Sequence, residues 1–235
     1  FLFSFSMTMV RIVSALKSSA FSSSISKANT FFWRTVDNLA TNLSDNLSYT
    51  YTPDDLTFPI RDTGRTFTGY LRPNGDVGIR NEIWIIPTVG CVNDVAKALV
   101  AENQDLVSGS IDGLYCFPHP FGCSQTGEDH AQTRKLLTSL AKHPNAGGVL
   151  VLGLGCENLT KAQFTEELGE FDAQRIRFLV CQEVSDEMEA GRTILEELAA
   201  FASQFQREPV PTSELVIGMK CGGSDGLSGI TANPV

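Results

Sequence analysis

A chain of 235 residues that is 42% apolar has room for one large domain or two small ones, and enough hydrophobic material for a core. Its formal charge of −9 argues against nucleic acid or an anionic membrane surface as a partner, and no apolar run is long enough to span a bilayer. Six cysteines, placed singly and mostly after apolar runs, make no disulfide framework and suit the reduced thiols of a cytoplasmic protein.

In chain order, residues 1–36 stand apart: no Asp or Glu, nine Ser and four basic residues (Arg11, Lys17, Lys27, Arg34). That composition resembles an organellar transit peptide, the alternative to a cytoplasmic location, and the segment is expected to lack a packed core. Residues 37–65 are polar and read as a linker or the remnant of an N-terminal domain. From Thr66 to Val235 the pattern is that of one α/β domain. Apolar runs at Glu82–Val89, Ile111–Phe117, Gly148–Gly153, Ile176–Cys181 and Glu214–Met219 read as strands buried on both faces. Between them lie helical patterns. Val92, Val95, Leu99 and Val100 share one face. Thr126 with Asp129 opens a helix carrying Leu136, Leu137 and Leu140. Asn158 or Thr160 caps one with Ala162 and Leu168. Ser185, followed by Asp186 and Glu187, begins one with Met188, Leu195, Leu198, Phe201 and Phe205. This alternation predicts a mainly parallel sheet with flanking helices, a Rossmann-like three-layer domain.

In such a sheet ligands bind beyond the carboxyl ends of the strands. Four loops are expected there, each with a cysteine near a glycine: Pro87–Cys91, His119–Gln125, Gly153–Asn158 and Lys220–Asp225. The last opens the stretch Cys221–Pro234, which holds four glycines among Cys, Asp, Ser and Thr and suits close backbone approach to a small polar ligand. The chain stops one residue later, so the domain is expected to continue. Cys116 and Cys181 read as small buried hydrophobes and Cys91 stays open between the two readings. His119 beside Cys123 reads as a ligand, Glu157 as a helix N-terminal charge or as a ligand or base, and His130 and His143 as structural. Gly153-Leu154-Gly155 lacks the third glycine of a dinucleotide fingerprint.

At these loops, over about Asn38–Val235, the chain resembles the altronate/galactarate dehydratase family. The resemblance is carried by Asn74–Asn81, His119–Gln125, His143–Gly148, Leu152–Asn158 and Lys220–Pro234, in that order. Trp84–Asn93 and Asn42–Asp45 favour its altronate branch. The resemblance implies dehydration of a hexonate to a 2-keto-3-deoxy sugar acid with a divalent metal, iron(II) first and manganese(II) second. Family members carry a histidine-containing N-terminal β-rich domain; Phe32–Asp37 has no histidine, and members continue beyond Pro234. This stretch alone is therefore expected to be inactive.

Residue type and loop position then suggest roles. Cys123, Cys156 and Cys221 are metal thiolates or pocket walls. His119, Glu157, Lys220 and Asp225 are the acid, base or ligand candidates. Arg80, Gln125, Gly222, Gly223 and Ser224 would hold the substrate, Arg80 together with Lys220 through its carboxylate. The expected partner is a small sugar acid, in a chain compatible with a homo-oligomer. Three alternatives stay open: galactarate as substrate, an iron–sulfur centre on the three thiols, and a sugar-acid-binding remnant without catalysis.

Overall fold

The computed structural model describes residues 64–218. The segment 1–36, all but the last two residues of 37–65, and Met219–Val235 lie outside the described residues, and with them the candidates Lys220, Cys221, Gly222, Gly223, Ser224 and Asp225.

Two strands form the centre. β3 (Glu82–Pro87) and β5 (Ala146–Gly153) are buried along their whole length. β4 (Gly113–Cys116) flanks β3 and β6 (Ile176–Val180) flanks β5, giving the order β4-β3-β5-β6 with every pair parallel. Successive side chains point to opposite faces of a strand, so each central strand feeds two cores. Ile83, Ile85, Leu150 and Leu152 pack beneath α1 (Asn93–Glu102) and α4 (Glu187–Ala202), through Ala96, Leu99, Leu195 and Leu198. Trp84, Ile86, Val149 and Val151 pack beneath α2 (Gly127–Ala141) and α3 (Lys161–Leu168), through Leu137, Leu140, Phe164 and Leu168. The expected α/β architecture, a parallel sheet between two helical layers, is the one observed.

A small antiparallel sheet, β2-β1-β7, accompanies it, built from β1 (Thr66–Leu71), β2 (Val77–Gly78) and β7 (Glu208–Pro211). Here the expected fifth parallel strand fails. After α4 the chain pairs with β1, Val210 opposite Phe67, instead of returning beside β6. Thr212–Glu214 then form a 3-10 turn, and Leu215–Gly218 belong to no strand. Leu215 is 41% and Ile217 68% exposed, so the apolar composition that suggested a buried strand is not buried here.

The amino end of the parallel sheet is tied together by polar side chains. Arg72 is 3% exposed and donates from Nε to Pro144 O (2.8 Å), from Nη1 to Asn81 Oδ1 (3.0 Å) and from Nη2 to Arg80 O (3.0 Å). Arg175 donates to Ala146 O (2.9 Å) and His143 O (2.7 Å). Asn145 Oδ1 accepts from the N–H groups of Ile79 and Arg80 (2.9 and 3.3 Å). Burial pushes the Arg72 guanidinium down to about 9, with the Arg175 charge acting the same way, and burial pushes Arg175 down to about 10. Both therefore stay charged at neutral pH. The motifs Asn74–Asn81 and His143–Gly148 thus meet in a structural joint.

Candidate active site at the carboxyl edge of the sheet

β3 leads to β4 through α1 on one face, whereas β5 leads to β6 through α3 on the other. The chain leaves these two neighbours in opposite directions, and a crevice opens between their carboxyl ends, where doubly wound sheets bind ligands. Two loops line it, Thr88–Cys91 and Leu154–Asn158. The loop after β4 is sewn onto both. Gly90 N donates to Phe121 O (2.8 Å) and Asn93 Nδ2 to His119 O (2.9 Å). Asn158 donates from its backbone to Gly122 O (3.3 Å) and from Nδ2 to Gln125 O (2.6 Å). Gly122 has φ +104°, and a Cβ there would lie 2.5 Å from Thr88 O, so glycine alone allows this approach. Ser124, beside Cys123, is the non-glycine with positive φ (65°) among the described residues. The loop after β6 joins through Gln182 N to Leu154 O (3.0 Å). Three of the four loops expected at this edge are thus together; the fourth, at Cys221, lies outside the described residues.

Glu157 sits at the centre of the crevice, 9% exposed. Its carboxylate accepts from Thr88 Oγ1 (2.8 Å), Leu154 N (3.1 Å) and Gly155 N (2.6 Å). Burial pushes its carboxyl up, but the hydrogen bonds from Gly155, its own N–H, Thr88 and Leu154 outweigh this and hold it below the usual range. It precedes the N-cap of α3, Thr160, by three positions, so it is no first-turn charge of that helix.

His119 is also engaged. Its Nε2 lies 2.8 Å from Pro87 O and its Nδ1 accepts from Phe121 N (3.2 Å), so both ring nitrogens have backbone partners. Its ring stacks on Phe121 (6.0 Å, 22°), which is 51% exposed. Gln125 Oε1 is enclosed without a hydrogen-bond partner. Cys91, Cys123 and Cys156 are exposed thiols on the three sewn loops; Gln182 Nε2 lies 4.0 Å from Cys156 Sγ. Burial raises the thiols of Cys116 and Cys181, which pack against the core as expected of small hydrophobes.

Arg80 does not join this group. It precedes β3, while the crevice follows it, and six strand residues separate the two ends by about 20 Å. Its Nε lies 3.9 Å from Glu82 instead. A substrate carboxylate at the crevice is out of its reach.

All four helices begin at the carboxyl edge, and their positive ends favour an anion there. Acidic side chains occupy the first turns of α1, α2 and α4, but not that of α3. α3 instead begins with Lys161 behind a capping box, in which Gln163 N donates to Thr160 Oγ1 (3.3 Å) and Thr160 N to Gln163 Oε1 (3.2 Å). The sequence pattern gave Thr88, Gln182 and Asn158 no role at the crevice; Thr88 carried the one available signal, a hydroxyl at the end of a buried strand. An open groove of about 290 Å³ lies elsewhere, along β6 between Lys161, Phe171, Phe178 and Glu197, and holds neither thiol nor histidine.

Among the described residues no group of three or more His, Cys, Asp or Glu side chains is arranged to hold a metal ion. With His119 and Glu157 committed to protein hydrogen bonds, these residues do not form a metal centre by themselves. No helix among the described residues is long and apolar enough to cross a membrane.

Fold and crevice together define a doubly wound α/β domain with its loops gathered at the switch point of the sheet. Residues 69–203 match the family described as D-galactarate dehydratase/altronate hydrolase, second domain, and residues 212–235 match the D-galactarate/altronate dehydratase C-terminal region. The chain belongs to this family. It is 50% identical to the altronate dehydratase of Bacillus subtilis (strain 168) over 204 residues, 85% of this chain and 41% of that protein. To the galactarate dehydratase (L-threo-forming) of Escherichia coli (strain K12) it is 35% identical over 185 residues, 73% of this chain and 35% of the relative. To the (2R)-sulfolactate sulfo-lyase subunit beta of Chromohalobacter salexigens it is 34% identical over 172 residues, 73% and 42% of the two chains. The chain spans about two-fifths of the length of these relatives. Exposed Leu215 and Ile217 fall within the second matched region, residues 212–235, and not within the first.

Proposed function

We propose that the protein dehydrates a hexonate, altronate, to 2-dehydro-3-deoxy-gluconate and water, with the β3/β5 crevice of this chain forming part of the site. The observation that carries the reading is the crevice itself. Three loops with exposed thiols meet at the switch point of a domain whose sequence is 50% identical to an altronate dehydratase. Dehydratases and sulfo-lyases both eliminate, so elimination is what the relatives' names have in common.

In the proposed reaction the proton on C2, next to the carboxylate, is removed. Its electron pair forms the C2=C3 bond, and the C3 hydroxyl leaves with a proton as water. The enol then ketonises. The positive helix ends, above all that of α3, favour the anionic substrate at this edge. Gln125 is assigned to a substrate hydroxyl. Glu157 is a weak base where it stands, because three donors already occupy its carboxylate; proton transfer is assigned to Lys220 and Asp225, with Gly222, Gly223 and Ser224 binding substrate.

Cys123 and Cys156, joined by Cys221, are assigned to a divalent metal, iron(II) ahead of manganese(II). Such an ion would stabilise negative charge on the substrate carboxylate. Galactarate is the second substrate reading, on the more distant relative.

The test is turnover by the protein as its gene encodes it. Altronate should yield a 2-keto-3-deoxy acid, chelator should abolish the product, and added iron(II) should restore it. Turnover of galactarate alone would refute the substrate, and full activity under chelation would refute the metal.

A further inference from the structure

We propose that Thr88 and Glu157 are a positioning pair that fixes the turn Gly153–Cys156 across the switch-point crevice, and that Glu157 acts through this turn without itself exchanging a proton with the substrate. The inference rests on the functional reading above, in that the crevice is where the substrate reacts.

The geometry is that of a clasp. Thr88 ends the β3 side of the crevice and Glu157 belongs to the β5 side; the 2.8 Å hydrogen bond between them closes the gap where the two chain paths diverge. The other contacts of the carboxylate turn back on its own loop, to Leu154 N and Gly155 N. The loop is shaped to receive it. A Cβ on Gly153 would lie 2.5 Å from Glu157 Oε1, and one on Gly155, whose φ is +120°, would lie 2.8 Å from Gln182 Oε1. Both glycines leave space that a side chain would take from the clasp or from Gln182. Cys156 stands between the two anchored positions, Gly155 N and the Glu157 side chain, and stays exposed. Its direction is therefore set by contacts on either side and not by burial of its own. The titratable group facing Glu157 from the neighbouring loop is Cys181, at the end of β6.

A donor-saturated carboxylate that orients a reactive neighbour behaves differently from one that takes a proton. The experiment uses Glu157→Gln, Thr88→Val and Thr88→Ser in the protein as encoded. One readout is independent of turnover: the rate at which iodoacetamide alkylates Cys156, followed by mass spectrometry with Cys91 as the internal reference. Glu157→Gln keeps the shape but replaces an acceptor oxygen by an amide donor, and Thr88→Val removes the hydroxyl. Both are expected to change Cys156 labelling severalfold while Cys91 labels as before. Thr88→Ser retains the hydroxyl and is expected to restore the original rate. In turnover, both disrupting variants are expected to lower kcat by about 10–100-fold, the range for loss of an orienting contact, with little change in KM.

Unaltered Cys156 labelling in both disrupting variants overturns the proposal whatever the activity. So does loss of all turnover in Glu157→Gln alongside full activity in Thr88→Val, which is the pattern of a base. Absence of elimination activity in the unmodified protein would instead remove the functional reading, with the labelling still deciding whether the clasp exists.

Discussion

At Glu157 the sign of a pH effect follows from its hydrogen bonds. Its folded-state carboxyl lies below the ordinary value of 4.5, since burial raises it but the donors from Gly155, its own N–H, Thr88 and Leu154 together outweigh that. A carboxylate of this kind contributes stability that is fully present above its unfolded pKa and is lost as pH falls through the folded one. The stability difference between the unmodified protein and Glu157→Gln should therefore be constant near neutrality and decrease as pH falls through the folded-state pKa; urea unfolding at a series of pH values measures it. At the other end of the sheet, Asn81 is fully buried. It accepts from Arg72 and donates to Ser110 O (3.1 Å) and Ala202 O (2.9 Å). Asn81→Ala removes three buried hydrogen bonds at once, although each partner keeps another, and should destabilise by about 2 kcal/mol, read as a lower urea midpoint at unchanged slope. His119 teaches the limit of reading single residues. A histidine beside a cysteine in a strand-end loop has the composition of a ligand. The backbone groups that take up both ring nitrogens come from Pro87, 32 positions away, and from the loop's own turn.

At the level of elements, α3 depends on its N-terminus. It has eight residues, too few to hold without its cap, and Thr160→Ala should cost about 1 kcal/mol in chemical unfolding. α1 and α4 cross at Gly191, where a Cβ would come within 2.6 Å of Leu99 Cδ2. Gly191→Ala should cost about 1–3 kcal/mol by pushing the helices apart, and Leu99→Ala in the same chain should relieve part of that penalty, a coupling that a double-mutant cycle reads.

These helices, and the four parallel strands, were legible because their apolar residues repeat with the right period; α3 and α4 also start at capping side chains, whereas Thr126 stands at the N-cap of α2 without a side-chain cap and α1 starts at Val92. The cap of α4 is Asp186, one place after the expected Ser185. β1, β2 and β7 were not legible: they are short, half polar, and owe their pairing to partners such as Phe67 and Val210, far apart in the chain. The crevice was legible from the rule that places loops at strand ends. Arg80 was misplaced because charge alone does not say which end of a strand a residue guards.

At the scale of the whole molecule, the described residues give the parallel sheet four strands, and the run Leu215–Gly218 stands apart from it. Replacing Leu215 and Ile217 together by Ser should leave the stability of this unit within about 0.5 kcal/mol, as for exposed positions. A loss of several kcal/mol would put that run back into the core. The open edge at β6 is guarded by charge, with Arg177 paired to Glu197 (2.8 Å) and Lys161 lying over the Phe178 ring (5.6 Å). Such side chains discourage another strand from adding to the sheet.

The buried arginines at the amino edge carry a consequence for motion. Arg72 and Arg175 pin the carbonyls of Pro144, His143 and Ala146, just where β5 begins. Amides there should exchange with deuterium only when the domain unfolds as a whole, whereas those of residues 119–126, largely exposed and outside any strand or helix up to Gln125, should exchange through small local openings. The domain is then rigid at one pole and yielding at the other. Movement of the loops at the carboxyl edge then draws nothing from the stability held at the far end.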